Sequence, residues 1–274
     1  MMSTAYNQHR RNHLYMIALV ATIGAFLFGF DQLIFSGASI FLKQTFGLSS
    51  NALGFAGASV ILGSIIGAAA GGMLSDRWGR KNGLLLAGIL CAVSAIGTAI
   101  PQNMFQFNLF RIVGGAGIGI AMGNAPMYLA EIAPARMRGP MVTCNQFVMV
   151  LGALCAVLIG WAITEYMDEV WDHTINWRWM FGSELLPVLF LMVGLIFIPE
   201  SPRWLATQGR HDQALDVLAR LNGHVEAPVL LESINRSIRQ GQDVSSRFRD
   251  LLTPGIRMAV VIAVGLAVLQ HLSG

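Results

Sequence analysis

Three ionisable residues stand among apolar neighbours. Asp31 directly follows Phe28-Gly29-Phe30, Arg111 separates two charge-free runs, and Glu184 precedes a third. In a bilayer, an isolated charge at the centre costs roughly 2.5–3.5 kcal/mol on insertion scales. The three groups must therefore pair with one another or face water. One cation and two acids make a candidate proton-coupling cluster. An acid whose charge depends on the nearness of Arg111 can load and release a proton as helices move. Two plainer roles compete: Asp31 as the interfacial cap of a broken helix, and Glu184 as a residue at the membrane surface.

Asn124, Thr143, Asn145 and Gln146 also fall inside apolar segments. Such side chains either link helices by hydrogen bonds or line a cavity. Adjacent Asn145 and Gln146 point about 100° apart on a helix, so one can face a cavity while the other bonds a neighbouring helix. Uncharged amides and aromatics suit a neutral, polyhydroxylated ligand. An anionic one would call for more intramembrane cations than Arg111. Cys91, Cys144 and Cys155 fit no metal-ligand spacing and read as small buried hydrophobes.

The elements that must position these residues are membrane helices. Charge-free windows cover 12–30, 44–75, 82–110, 112–130, 139–164, 185–199 and 258–274, and a spanning helix needs ~20 apolar residues. Hydrophobic residues make up 54% of the chain and charged ones 12%, about half of the ~25% usual in soluble domains. The reading is an all-α integral membrane chain with spans near 14–36, 52–74, 83–100, 106–127, 140–163 and 179–199, and a seventh beginning near 256. Gly63, Gly67 and Gly71 lie on one face of the second span, and Gly115, Gly119 and Gly123 on one face of the fourth. Four-residue spacing of this kind lets helices approach closely. No G-x-G-x-x-G fits, so a nucleotide site is not indicated.

Between the second and third spans lies Gly72-Met73-Leu74-Ser75-Asp76-Arg77-Trp78-Gly79-Arg80-Lys81, a tight turn with three cations and one anion. All but three of the 18 Lys and Arg residues (Lys43, Arg111 and Arg178) fall in the N-terminal tail, this turn, the 131–139 turn or the 200–257 segment. Positive-inside logic puts the N-terminus in the cytoplasm. The net charge of +3 therefore reflects topology, not nucleic-acid binding. The tail before Leu14 is short and shows no small-residue cleavage site, so the first span reads as retained. In the soluble 200–252 segment, Ser201-Pro202 is a helix start. Ala214, Val217, Leu218 and Leu221 form an amphipathic stripe ended by Gly223, and Leu230, Leu231, Ile234 and Ile238 form another. The organisation expected is a cytoplasmic tail at 1–13, a six-helix bundle at 14–199, cytoplasmic helices at 200–252 and the start of a seventh transmembrane helix at 253–274.

Taken together these segments resemble the sugar porter family of the major facilitator superfamily, most closely its bacterial pentose/proton symporters. The 72–81 turn resembles the G-x-x-x-D-R-x-G-R-K signature, and Phe28-Gly29-Phe30-Asp31 the first-helix motif. Arg111 followed by Gly115, Gly117 and Gly119 resembles the fourth-helix motif. Glu131-Ile132-Ala133-Pro134-Ala135-Arg136-Met137-Arg138-Gly139 and Pro199-Glu200-Ser201-Pro202-Arg203 resemble the cytoplasmic signatures, and Trp177-Arg178-Trp179-Met180-Phe181 also fits. The resemblance implies the six-helix N-terminal bundle of a major facilitator fold and proton-coupled sugar transport by alternating access. It makes Asp31 the protonatable group, Arg111 its partner and Glu184 a modulator. It places Phe28, Gln146 and Gln270 at the sugar. The family has paired Gln at the start of its seventh helix, whereas here Gln270 is followed by His271. It makes Gly72, Asp76, Arg77, Gly79, Arg80, Glu131, Arg138, Glu200 and Arg203 a cytoplasmic gating network. No cofactor is implied beyond the proton as coupling ion. The implied partners are a monosaccharide, the lipid bilayer of a bacterial inner membrane and a C-terminal six-helix half.

Family members carry twelve helices, so a chain ending at Gly274 reads as an N-terminal half: a fragment, a truncated reading frame or a trimmed chain. The competing readings are an uncoupled facilitator or porter of another polar solute, and a non-transporting receptor or fragment. An intramembrane enzyme is not indicated, because H-E-x-x-H and G-x-S-x-G are both absent.

Overall fold

The structure is a computed structural model that describes residues 2–133, 137–167, 173–242, 257–262, 265–266 and 269. It divides into two units, Met1–Leu231 and Glu232–Gly274. The first holds the long helices α1 (Met2–Phe46), α2 (Ser50–Trp78), α3 (Arg80–Ala99), α4 (Met104–Ile132) and α5 (Arg138–Met167). It continues through α6 (His173–Gly182), α7 (Leu185–Phe197), α8 (Pro202–Thr207) and α9 (His211–Asn222), and α10 (Ala227–Gln242) runs into the second unit. In that second unit residues 257–262 are also helical. No strand occurs among the described residues.

Among the described residues, six helices are long and apolar enough to cross a membrane: Leu14–Phe46, Ser50–Trp78, Arg80–Ala99, Met104–Ile132, Gly139–Tyr166 and Ile175–Phe197. The last joins α6 to α7. Four spans differ from the sequence reading by four residues or more: the second runs to Trp78 instead of 74, the fourth to Ile132 instead of 127, and the first and sixth differ with more consequence. The first runs on to Phe46 instead of ending near 36, because its stop signal is Gly47, with φ of 60°. There the Leu48 N–H donates to the Lys43 carbonyl at 3.1 Å, closing the last turn as a left-handed glycine allows. The sixth starts at Ile175 instead of 179. This moves Glu184 from a span end into the bundle, where it is 2% exposed.

The bundle is built on helix pairs: α2 with α4, α1 with α5, and α3 with α4. The α2–α4 crossing uses the glycine rows. A Cβ at Gly63 or Gly67 would overlap the carbonyls of Ile112 and Ala116, and one at Gly115 or Gly119 those of Val60 and Ser64. Only a missing side chain lets the two backbones meet there. Gly123 takes no part, since a Cβ there would meet nothing within 4 Å. Phe30, Ile34, Phe107, Trp177 and Phe181 form the centre of a buried apolar cluster. Large apolar side chains lie outward on α2 and α5, among them Ile61, Ile65, Phe147, Leu154 and Trp161. That pattern suits lipid or another apolar surface as surroundings.

The short helices follow from local signals. Ser201 caps α8 by accepting the Trp204 N–H at 3.2 Å, with Pro202 at the first position. In α9 the residues Ala214, Val217, Leu218 and Leu221 are all buried, and Gly223 ends the helix.

Candidate functional site

Two polar clusters occupy the bundle. In the first, α1 supplies Asp31, α4 supplies Arg111, and the break between α6 and α7 supplies Glu184. All three are buried. Arg111 Nη1 donates to Asp31 Oδ1 in a direct ion pair. Glu184 sits in the electrostatic field of both. Helix α1 is continuous through Asp31, so this residue is not the cap of a broken helix. Arg111 lies two turns inside α4, and its Nε has no hydrogen-bond partner among the described residues. Burying two acids with one cation is costly unless the charges compensate. One guanidinium cannot fully neutralise two carboxylates. The cluster is therefore one proton short of neutrality when both acids are ionised.

The residues expected at a ligand are partly placed. Phe28 is half-buried on α1 and Gln146 is exposed on α5. Both lie near the α1–α5 crossing, where the backbone of Gly29 abuts Met149 and that of Phe26 abuts Gly152. Among the described residues the Gln146 amide contacts the Met149 sulfur at 4.0 Å. Its neighbour Asn145 turns inward and is buried. The adjacent pair thus splits between an accessible face and the bundle interior. Gln270 and His271 lie outside the described residues.

The second cluster ties the α2–α3 turn to the chain after α7. Arg80 Nε and Nη2 donate to the two Glu131 carboxylate oxygens, each at 3.1 Å, and Nη1 donates to Asp76 Oδ1 at 2.7 Å. Glu200 Oε1 accepts the backbone N–H groups of Arg80 at 2.9 Å and Lys81 at 3.1 Å. Helix α3 has glycine at its N-cap and no capping side chain of its own, so a distant carboxylate fills that role at the positive end of the helix. Burial raises the proton affinity of Glu200, while hydrogen bonds from the Ser201, Lys81 and Arg80 amides work against it. Gly79 has φ of 101°, and a Cβ there would overlap the Glu200 carboxylate. Arg203 lines the same crevice as Asp76 and Arg80. Gly72 and Arg77 are exposed, and the Arg138 side chain lies outside the described residues.

Several members of this cluster carry no charge and were not singled out as network residues from sequence. Ser201 donates to Glu131 Oε2 at 2.5 Å, beyond its expected role as a cap. The Trp204 indole donates to the Asp76 carbonyl at 2.8 Å, and Tyr128 donates to the Pro199 carbonyl at 2.6 Å. Asn124 accepts from Ser75 Oγ at 2.6 Å and donates to the Arg80 carbonyl at 2.7 Å. Tyr128 lies one helical turn before Glu131. That spacing is the one available signal, since it places both at the same end of α4.

Six spans long and apolar enough to cross a membrane, packed around a buried charge cluster, define a polytopic α-helical membrane protein. The chain belongs to the sugar (and other) transporter family, whose profile matches residues 17–274. It is 36% identical over its full length to the D-xylose-proton symporter of Escherichia coli, of which it covers 60%. It is 34% identical to the arabinose-proton symporter of Bacillus subtilis, with 97% of this chain and 57% of that one aligned. Among solved structures, the proton:xylose symporter XylE bound to 6-bromo-6-deoxy-D-glucose superposes with a TM-score of 0.83 at 35% identity. The superposition covers 90% of this chain and 57% of that one. The chain thus spans between half and two thirds of the length of the relatives it matches.

Proposed function

We propose that this chain forms the N-terminal half of a proton-coupled symporter for pentoses or hexoses that works by alternating access. The observation that carries the reading is the buried Asp31–Arg111 ion pair with Glu184 beside it. When Arg111 is close, Asp31 is held as a carboxylate. When helix motion draws the two apart, the buried acid gains more by taking a proton than by staying charged. Glu184 adjusts that balance through its own charge. The names of the xylose and arabinose relatives support a sugar as cargo.

In this reading Phe28 and Gln146 contact the sugar from one wall, with Gln270 and His271 continuing the site. A C-terminal six-helix half supplies the opposite wall, and the two rock about the site between them. Asp76, Arg77, Arg80, Glu131, Arg138, Glu200 and Arg203, with the glycines Gly72 and Gly79, form the gate that holds one end closed. The bacterial relatives support a plasma membrane location, and the distribution of cations supports an N-terminus and a gate on the cytoplasmic side. The proton is the only coupling ion required, and no nucleic acid is involved.

The test joins residues 1–274 to the remaining C-terminal part of the Escherichia coli D-xylose-proton symporter and follows labelled xylose in vesicles. An imposed pH gradient should drive uphill accumulation. Asp31→Asn should abolish accumulation yet leave sugar counterflow. Full uphill accumulation by that variant would remove Asp31 from the coupling role.

A further inference from the structure

Arg111 is held on more than its carboxylate side. Its Cζ lies 5.0 Å from the ring centroid of Phe35 and 5.6 Å from that of Phe181. Phe35 stands one turn after Asp31 on α1, and Phe181 stands three residues before Glu184 on α6. The two rings meet at 6.5 Å with a 54° tilt. Phe181 packs edge-on against Phe107 at 5.2 Å, and Phe107 edge-on against Trp177 at 6.3 Å. Phe107 lies one turn before Arg111 on α4, so three helices fix the rings around one guanidinium.

We infer that Phe35 and Phe181 form an aromatic clamp that holds the Arg111 guanidinium in place while Asp31 carries a proton. The inference rests on the proton-coupling role proposed above. With Asp31 protonated, Arg111 loses its direct ion pair and keeps the field of Glu184, and a buried guanidinium is costly unless further groups meet its charge. Aromatic faces within about 6 Å do so through the negative face of the ring. The same faces repel a carboxylate, so they favour the lone cation over the ion pair. The rings therefore ease proton uptake by Asp31 without touching the proton or the sugar. Phe35 and Phe181 are positioning residues.

The other groups that bear on this equilibrium are few. Glu184 lies between α6 and α7, and Cys91 on α3 interacts electrostatically with both acids. Helix α2 brings no charge between 51 and 75, α5 none between 139 and 164, and α7 none at all.

The experiment uses the 274-residue chain in lipid nanodiscs and needs no transport. Infrared absorption of the protonated carboxyl group is followed against pH. The Asp31 band is assigned by its loss in Asp31→Asn and is read in a Glu184→Gln background. Phenylalanine carrying one, two or three fluorines replaces Phe35, which keeps the ring's shape and weakens its negative face stepwise. The midpoint should fall with each fluorine, by about half to one pH unit in total. Phe35→Tyr should keep the original midpoint and Phe35→Leu should match the trifluorinated ring. A flat fluorine series alongside a shifted Phe35→Leu would mean packing alone and would overturn the clamp, leaving the coupling role intact. An Asp31 band that never appears at any pH would overturn both.

Discussion

The Glu200 carboxylate caps the N-terminus of α3 by accepting the Arg80 N–H at 2.9 Å, although the two residues lie 120 positions apart. Between them come four membrane spans. The contact turns a local weakness, a helix that begins with glycine and no capping side chain, into a long-range latch. The Arg80 side chain extends the latch to Glu131 on α4 and Asp76 on α2. Trp204 reaches back to the Asp76 carbonyl. Glu200 thus joins the chain after α7 to the α2–α3 turn, alongside the Ser201, Trp204 and Tyr128 contacts.

Two glycines of this turn should respond oppositely to alanine. Gly79 has φ of 101° and ψ of 161°, a region that is essentially glycine-only and costs about 1–3 kcal/mol for other residues. A Cβ there would also displace the Glu200 carboxylate. Gly79→Ala should lower the melting temperature in detergent and loosen the latch. Gly72 lies inside α2, where a Cβ would meet nothing within 4 Å. Gly72→Ala should leave stability unchanged or raise it by up to about 1 kcal/mol through helix propensity. Equal losses in the two variants would show that the turn has no special need at Gly79.

The latch should also respond to pH through Glu200. Burial raises its proton affinity in the folded state, with amide hydrogen bonds in opposition. A carboxyl raised in this way contributes stability that is fully present below the ordinary carboxylate range. That contribution is lost as pH climbs through the folded value just above the range. Melting temperature should therefore drop over that window in the parent chain. Glu200→Gln cannot titrate and should lack this component. A parent and variant with identical pH profiles would show that Glu200 is no more burdened by burial than in solution.

The sequence carried the membrane class because each span is long, apolar and bounded by charge, signals that need no tertiary context. The close-packing faces were legible because the glycines repeat every four residues, but that α2 and α4 turn those faces on each other was not. Nor was Glu184. Its neighbours on the N-terminal side include Arg178 and Trp177, which look interfacial, yet the Arg178 guanidinium folds back onto the Ala99 and Pro101 carbonyls. That contact lets the span begin before it. The aromatic rings around Arg111 were equally hidden, since they come from α1 and α6 and no spacing along one helix reports a meeting between two. Ser201, Trp204 and Tyr128 escaped notice as latch residues because they bond through backbone carbonyls or share a carboxylate, and neither leaves a pattern of charges.

Asn124 and Gln146 look alike in sequence, two amides in apolar spans, and the structure separates them. Asn124 is 2% exposed and bonds both Ser75 on α2 and the first residue of α3. Removing it leaves the Ser75 hydroxyl without this partner and takes a second donor from the Arg80 carbonyl, a loss of about 1–3 kcal/mol. Asn124→Ala should therefore lower the melting temperature of the 274-residue chain. Gln146 is exposed, and among the described residues its amide meets the Met149 thioether sulfur, so Gln146→Ala should leave the melt unchanged. In the protein joined to a C-terminal half, the order reverses at the sugar. Gln146→Ala should weaken xylose binding by about tenfold or more, the equivalent of about 1–3 kcal/mol for lost hydrogen bonds to a polar ligand. Asn124→Ala should leave intrinsic affinity intact in the fraction that stays folded. Calorimetric titration and thermal melts on the same four samples separate the two effects. A Gln146→Ala variant that melts early and binds normally would return Gln146 to the class of residues that link helices.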